Sequence, residues 1–200
     1  MKLLDYVSDL QQYVPSTNDY MPWHIVKDLQ RILSQIIPTL GKDFIIKDDV
    51  AVHKSANVES HVILKGPIVI YEDCFVGAHA YLRGGVLLAQ GASIGPGCEV
   101  KTSIILKKTT LAHFNFVGDS LLGSNVNMEA GSVIANHHND RDDKTIYVRV
   151  GSEIIKTDVV KFGALIGDDC KIGANSVCNP GTILSPKSVV KRLELVDQIE

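Results

Sequence analysis

His113 stands where the rhythm of this chain falters. The stretch Ala112-His113-Phe114-Asn115 is about two residues too short for the six-residue period that runs on either side of it. A packed repeat gains nothing from breaking its own register, so a side chain at such a break is a candidate for function. An imidazole there can serve as a general base near neutral pH. Its counterparts one and two coils earlier read as Gly95 and Gly77, which would leave open space beside the ring. A solvated turn histidine is the plainer alternative.

Basic residues supply a second signal, because Lys65, Arg83 and Lys101 recur every 18 residues. On a repeat of that length they form a vertical cationic ladder. Unit charges about 5 Å apart repel by roughly 3 kcal/mol at an effective dielectric near 20, and a bound anion would relieve this. A solvated stripe with interleaved partners such as Glu99 is the alternative. A third cluster, His137-His138 with Asp140, Asp142 and Asp143, has no recognisable ligand spacing and adjacent side chains diverge, so no metal is expected. The four cysteines, at 74, 98, 170 and 178, form no CxxC pair and fall at inward repeat positions as small core residues.

These residues are carried by a repeat that begins near Val50. Apolar or small residues recur two apart in hexads, as in Ile68-Val69-Ile70, Cys74-Phe75-Val76, Ala80-Tyr81-Leu82 and Val86-Leu87-Leu88. Two inward residues around one outward residue make a short strand, and the turn formers that follow bend the chain. Three such strands close one triangular coil. The expected inward columns are Val58, Val76, Ile94 and Ala112; then Leu64, Leu82 and Val100; then Ile70, Leu88 and Leu106. Stacked coils bury one another's inner faces, which makes the chain an all-β solenoid. The pattern resumes at Ala164-Leu165-Ile166 and runs to Val190.

Between the two blocks, residues 137–161 leave the repeat as a polar loop with a hairpin, Ile146 to Val150 and Ile154 to Thr157, around Gly151-Ser152. The excursion reads either as a binding wall or as a surface loop. Residues 1–45 follow a helical period instead. Leu3, Tyr6, Val7 and Leu10 share one face, and Trp23, Val26, Leu29, Leu33, Ile36 and Ile37 share another, predicting two amphipathic helices that cap an open coil. Pro15 and Asn18 fall between them, and Pro38 and Gly41 close the second. Residues 46–200 are the solenoid, and Lys191 to Glu200 read as a short terminal cap or tail.

Composition bounds the remaining possibilities. In 200 residues, 45% hydrophobic and 22% charged, there is ample core material and no apolar run near the length of a membrane span. The formal charge of -3 offers no general attraction for nucleic acid or anionic lipid. Asp5 and Asp9 interrupt the place of a signal peptide, so the cytoplasm is the expected compartment.

The segment from Ala112 to Asn136, AHFNFVGDSLLGSNVNMEAGSVIAN, resembles the acetyltransferase half of the bifunctional N-acetylglucosamine-1-phosphate uridyltransferase/glucosamine-1-phosphate acetyltransferase family. Lys161-Phe162-Gly163-Ala164-Leu165-Ile166-Gly167-Asp168 and Asn179-Pro180-Gly181-Thr182 resemble archaeal sugar-phosphate nucleotidylyltransferases with an acetyltransferase half. As a whole, residues 50 to 195 look like the short stand-alone LpxA-like hexapeptide-repeat transferases. The resemblance implies a left-handed parallel β-helix behind the N-terminal α-helical cap, an exception to the usual crossover hand. It also implies a homotrimer with sites between subunits.

By the same resemblance His113 matches the catalytic base, Arg83 and Lys101 the sugar-phosphate clamp, and Asn127 and Asn136 substrate-binding asparagines. Phe116 stands where that family has a phosphate-binding tyrosine, His137 replaces another tyrosine, and Asp142 occupies a lysine position. With Phe116 in place, the anion is expected nearer Lys65 or Arg141. Ala130, Gly131, Gly163, Ala164 and Gly181 are expected along the arm of acetyl-CoA or another acyl-CoA. The implied activity is CoA-dependent acyl transfer to an amino-sugar phosphate or nucleotide-activated sugar, without uridylyl transfer, since residues 1–45 are too short for a nucleotidyl-transferring domain. Two other readings stand beside it. A gamma-class carbonic anhydrase needs a histidine that positions 117 and 118 do not supply, and a non-catalytic sugar-nucleotide-binding or scaffold trimer fits the three replacements.

Overall fold

A computed structural model describes residues 1–15 and 20–199. Three walls of short parallel strands enclose one apolar core, as the hexad pattern predicts. The first wall stacks Asn57–Val58, Phe75–Val76, Ser93–Ile94, Thr110–Leu111, Asn127–Met128, Lys171–Ile172 and Val189–Val190. The second stacks Ile63–Lys65, the first halves of Tyr81–Leu88 and Glu99–Ile105, then Phe116–Gly118, Val133–Ile134, Val177–Cys178 and Leu195–Val196. The third runs from Val50–His53 through Ile68–Ile70, the second halves of the two long strands and Leu121–Leu122 to Ala164–Ile166 and Thr182–Leu184. All four cysteines are buried and unpaired, and burial pushes the thiols of Cys74 and Cys178 up to about 12.

Two expected columns shift by one residue. Leu111 rather than Ala112 follows Ile94, and Ile105 rather than Leu106 follows Leu88. The cause lies at a corner. Between the second and third walls, Gly84 and Gly85 turn one coil, whereas Thr102 alone turns the next and Asp119 the one after. Thr102 and Asp119 adopt positive φ of 47° and 46°, so one left-handed residue does the work of two. Coils that were 18 residues long become 17: Ile94 follows Val76 by 18 and Leu111 follows Ile94 by 17. The shortening expected at 112–115 is therefore divided between two other corners.

The N-terminal segment is not two helices. It comprises 3-10 turns at Leu3–Asp5 and Ile37–Thr39 and α-helices at Leu10–Tyr13, Pro22–Lys27 and Leu29–Ile36, broken at Asp28. Asn18 and Glu200 lie outside the described residues. Rather than plugging an open coil, these pieces lie along the third wall, where Val69, Leu87, Ile104, Leu121 and Leu165 point outward and are fully buried beneath Val7, Leu10, Ile25, Leu29 and Leu33. The third-wall strands are therefore apolar on both faces, as in other parallel sheets covered on both sides. Each such side chain contributes about 1.5–3 kcal/mol on burial. Ser8 anchors the segment through its N–H and hydroxyl, which donate to Asp168 Oδ2 at 3.0 and 2.7 Å.

A two-residue turn at Asp48-Asp49, with φ of 49° and 58°, folds Phe44–Lys47 back antiparallel onto Val50–His53. Positive φ at both positions is the geometry of a tight hairpin. At the other end, Leu195–Val196 pairs with Val177–Cys178, so the expected tail in fact extends the prism by a further strand. The excursion contains the expected hairpin shifted by one residue, Tyr147–Val150 against Glu153–Lys156. Its neck is closed by Phe162 N–H donating to Asn136 O at 3.0 Å.

Candidate active site at two corners of the prism

His113 lies at the corner between the first and second walls, on the turn linking Thr110–Leu111 to Phe116–Gly118, and is exposed. Its imidazole has no hydrogen-bond partner among the described residues. The register makes Pro96 and Ala130 its neighbours in the adjacent coils, not Gly95 and Gly77 as expected, since Phe114 N–H donates to Pro96 O and Gly131 N–H to His113 O. The glycines have another role. A Cβ on Gly95 would come within 1.6 Å of Ala112 O, so its bareness admits the next coil's backbone and leaves no ligand space. The small neighbours that do flank the imidazole are Pro96 and Ala130. Neither His113 N–H nor Ala130 N–H is bonded among the described residues, which leaves two backbone donors at this corner.

The ladder has the predicted register: Lys65 pairs with Arg83 and Arg83 with Lys101 on successive second-wall strands. It is not a stack of unrelieved cations. Arg83 meets Glu99 Oε1 at 2.6 Å, and Lys101 Nζ meets Asp119 Oδ2 at 2.5 Å. Asn136 Nδ2 donates to the same Asp119 oxygen, and both residues are buried. Lys101 and Asp119 have side chains only 16% and 9% exposed, so this pair is worth more, and costs more to break, than the half-exposed Arg83–Glu99 pair. Three cations against two carboxylates leave one net positive charge, centred on Lys65, whose ammonium sits 5.1 Å from the Tyr81 ring centre. Interleaved carboxylates thus relieve the repulsion that a bound anion was expected to relieve.

Phe116 and Asn136 close over Gly118, where an added Cβ would lie 2.9 and 2.8 Å from their side chains. The second corner therefore gathers Lys101, Asp119, Asn136 and Phe116 into one polar and aromatic patch, with Arg83 one coil away. Asp119 was not singled out from the sequence, although it stands 18 residues after Lys101, the same interval that relates the ladder's cations. His113 is at the next corner of the same wall.

Other expected residues fall elsewhere. Asn127 is on the first wall, paired with Thr110 and Lys171. It lines a shallow cavity of about 500 Å³ with Glu129, Lys171 and Arg192. Arg192 grips Glu129 at 2.7 Å, and that contact helps hold the Glu129 carboxyl down to about 2. Arg141 is exposed in the excursion, 3.9 Å from Asp140. Of the residues expected along an acyl-donor arm, Ala130 and Gly131 are at the His113 corner. Ala164 points into the core, while Gly163 and Gly181 are buried because an added Cβ would lie 2.2 Å from Gly118 O and from Tyr147 O respectively. Close packing, against the next coil at Gly163 and against the excursion hairpin at Gly181, therefore explains the absence of a side chain at these two positions. Asp142 is exposed, His137 Nδ1 lies 3.3 Å from Asn136 Oδ1, and His138 is buried with Nδ1 3.8 Å from Asp140. Burial is the main cause lowering the His138 imidazole below its usual value.

Comparison with known proteins gives the following. The profile described as GMPPB C-terminal domain matches residues 64–199. A protein called Bifunctional protein GlmU from Methanococcus maripaludis is 36% identical over 99 residues, covering 50% of this chain and 23% of that protein. Another of the same name, from Methanocaldococcus jannaschii, is 34% identical over 100 residues, covering 50% and 24%. A Bifunctional sugar-1-phosphate nucleotidylyltransferase/acetyltransferase from Sulfurisphaera tokodaii is 35% identical over 100 residues, covering 47% and 24%. The aligned region spans about a quarter of the length of these curated relatives.

Proposed function

We propose, from the premise that the chain belongs to the GMPPB C-terminal domain family, that it is a CoA-dependent acyltransferase which acetylates the amine of an amino-sugar phosphate or nucleotide-activated sugar. The observation that carries this reading is the exposed His113, whose imidazole has no hydrogen-bond partner among the described residues, at a corner where the N–H groups of His113 and Ala130 are also unbonded among them. The word acetyltransferase in the name of a 35% identical relative supports it.

The residues divide the reaction as follows. His113 takes a proton from the acceptor amine as its nitrogen attacks the thioester carbonyl. The backbone N–H groups of His113 and Ala130 stabilise the oxyanion of the tetrahedral intermediate. Collapse breaks the carbon–sulfur bond, the amide forms, and the imidazolium returns its proton to the departing thiolate. Lys65 supplies the net charge that attracts the acceptor's phosphate, with Arg83 and Lys101 able to exchange a carboxylate partner for it. Asn136 orients Asp119, and Phe116 shields the patch from water.

The active assembly is a homotrimer packed through the second wall. Its outward row runs Ile63, Tyr81, Glu99, Phe116, Val133, Val177 and Leu195; it is apolar or aromatic except at Glu99, which is paired to Arg83, and it supports this, with Ile63 and Leu195 still 52% and 62% exposed. Light scattering that gave a concentration-independent monomer would overturn it.

Turnover is tested with acetyl-CoA and a panel of amino sugars, amino-sugar 1-phosphates and nucleotide-linked amino sugars. Released thiol is read with a chromogenic disulfide and the product by mass. The buried native cysteines keep the thiol background low. A second reading, a binding-only sugar-nucleotide trimer, is favoured by the carboxylates already paired to Arg83 and Lys101. Acceptor binding without turnover of any donor would establish it.

A further inference from the structure

The hairpin strand Phe44–Lys47 is the terminal strand of its sheet and pairs on one side only, with Val50–His53. Ile45 and Ile46 are consecutive, and they are 63% and 46% exposed. Ile45 shares a face with Val52, and Val50, Val52, Ala56, Val58, Val62 and Leu64 are the partly covered inner residues of the first coil. An unpaired edge thus borders an apolar mouth, a combination that proteins ordinarily cover or blunt.

We infer that this edge strand pairs antiparallel with the same strand of a second copy, about a two-fold axis at Ile45. Two independent constraints select that register. Lys54 N–H donates to Asp43 O, so by the alternation of an antiparallel ladder residues 43, 45 and 47 turn their backbone groups toward Val50–His53. Residues 44 and 46 face the free edge. Phe44 N–H is taken by Gly41 O, which leaves Phe44 C=O and both polar groups of Ile46 to pair. An added strand must match outward residues with outward residues, which excludes every register that sets 44 opposite 45 or 47. Charge then chooses among the rest.

With Ile45 opposite itself, Phe44 faces Ile46 and Asp43, just ahead of the strand, faces Lys47. The run Lys42-Asp43-Phe44-Ile45-Ile46-Lys47-Asp48 is charge-complementary to its own reverse. Centring instead on Ile46 sets Asp43 against Asp49 and loses the match. Among the described residues the Asp43 carboxylate has only a distant, exposed contact with Lys54 at 3.9 Å, so it is available to a partner. Each pairing is isologous and joins two copies. On a ring of three it closes where all three edges meet those of one second ring, and it builds a larger array where they meet different rings. It also brings the two apolar mouths together. It uses none of the residues assigned to acyl transfer, and it at least doubles the mass of the assembly that carries the edge.

The test is sedimentation velocity and native mass spectrometry of the full chain at micromolar concentration. The wild type should have at least twice the assembly mass of Ile45→Lys, which sets two ammonium groups against each other on the axis. Lys47→Asp alone should weaken association at least tenfold, and Asp43→Lys with Lys47→Asp should restore it. Far-UV circular dichroism monitors the fold of each variant. Under mild oxidation Ile45→Cys should crosslink two copies, whereas Ile46→Cys, displaced from the axis, should not. Equal masses for the wild type and Ile45→Lys, or equal crosslinking at the two positions, would overturn the pairing.

Discussion

Lys101 and Arg83 occupy equivalent ladder positions yet should respond differently to truncation. Lys101→Ala leaves the Asp119 carboxylate buried with only Asn136 as a partner, a change that costs about 3 kcal/mol when a buried ion pair loses one member. Arg83→Ala opens a half-exposed pair and should cost at most about 1 kcal/mol. Denaturant titrations of the two variants check the contrast. Any loss of acceptor affinity in Lys101→Ala must therefore be read against its stability, whereas Arg83→Ala and Lys65→Ala report on anion binding more directly. Treating the three cations as an unrelieved stack overlooked Asp119, because only cations were followed at the 18-residue interval, and the shortened coil puts Gly118 beside Lys101 and the carboxylate in the corner just beyond it.

At the scale of elements, the stacking of coils explains glycines that had read as open space. Gly95→Ala forces a methyl into Ala112 O, and since that oxygen belongs to backbone it has little freedom to move. A loss of about 3 kcal/mol or more, measured by thermal or chemical unfolding, is expected. The columns through Val76 and Ile94 were legible because parallel coils impose one interval on every inward residue. The shortened corners were not, since Thr102 and Asp119 look like ordinary turn residues until their positive φ is known. The hairpin at Asp48-Asp49 was missed for a similar reason: it lacks the glycine that usually marks such a turn.

The excursion has its own pH dependence. Burial, with the Arg141 cation second, lowers the His138 imidazole, and this outweighs the raising effect of Asp140 and Asp197. Around and below the unfolded value of about 6.5 the unfolded chain therefore binds more protons there than the folded one, so stability decreases as the pH is lowered, until the lowered folded value is passed. Chemical denaturation across that window should show the fall, and His138→Gln should flatten it.

For the molecule as a whole, the helical segment and the solenoid share one interface. Tyr13 packs edge-on to Tyr71 at 4.8 Å and Trp23 to Phe162 at 5.9 Å, so the segment spans from the first coils to the neck of the excursion. Leu29→Asp places a charge in that fully buried seam and should lower stability by several kcal/mol, seen as a single early unfolding transition. The side-on packing could have been read from Ile68-Val69-Ile70 and Val86-Leu87-Leu88, whose outward middle residues are as apolar as the inward pair. The helical period alone did not show which surface the segment would cover. The separation of His113 and the Lys101 corner along one wall also belongs to this scale, because it makes the second wall the surface on which donor and acceptor must meet. The most direct test is acetyl transfer from acetyl-CoA to amino-sugar 1-phosphates by the wild type and by His113→Ala. The account predicts an acetylated product with stoichiometric thiol release, reduced by at least about 100-fold in the variant while its fold and assembly are kept. Equal turnover by the two proteins, or none by the wild type with any acceptor in the panel, would contradict it.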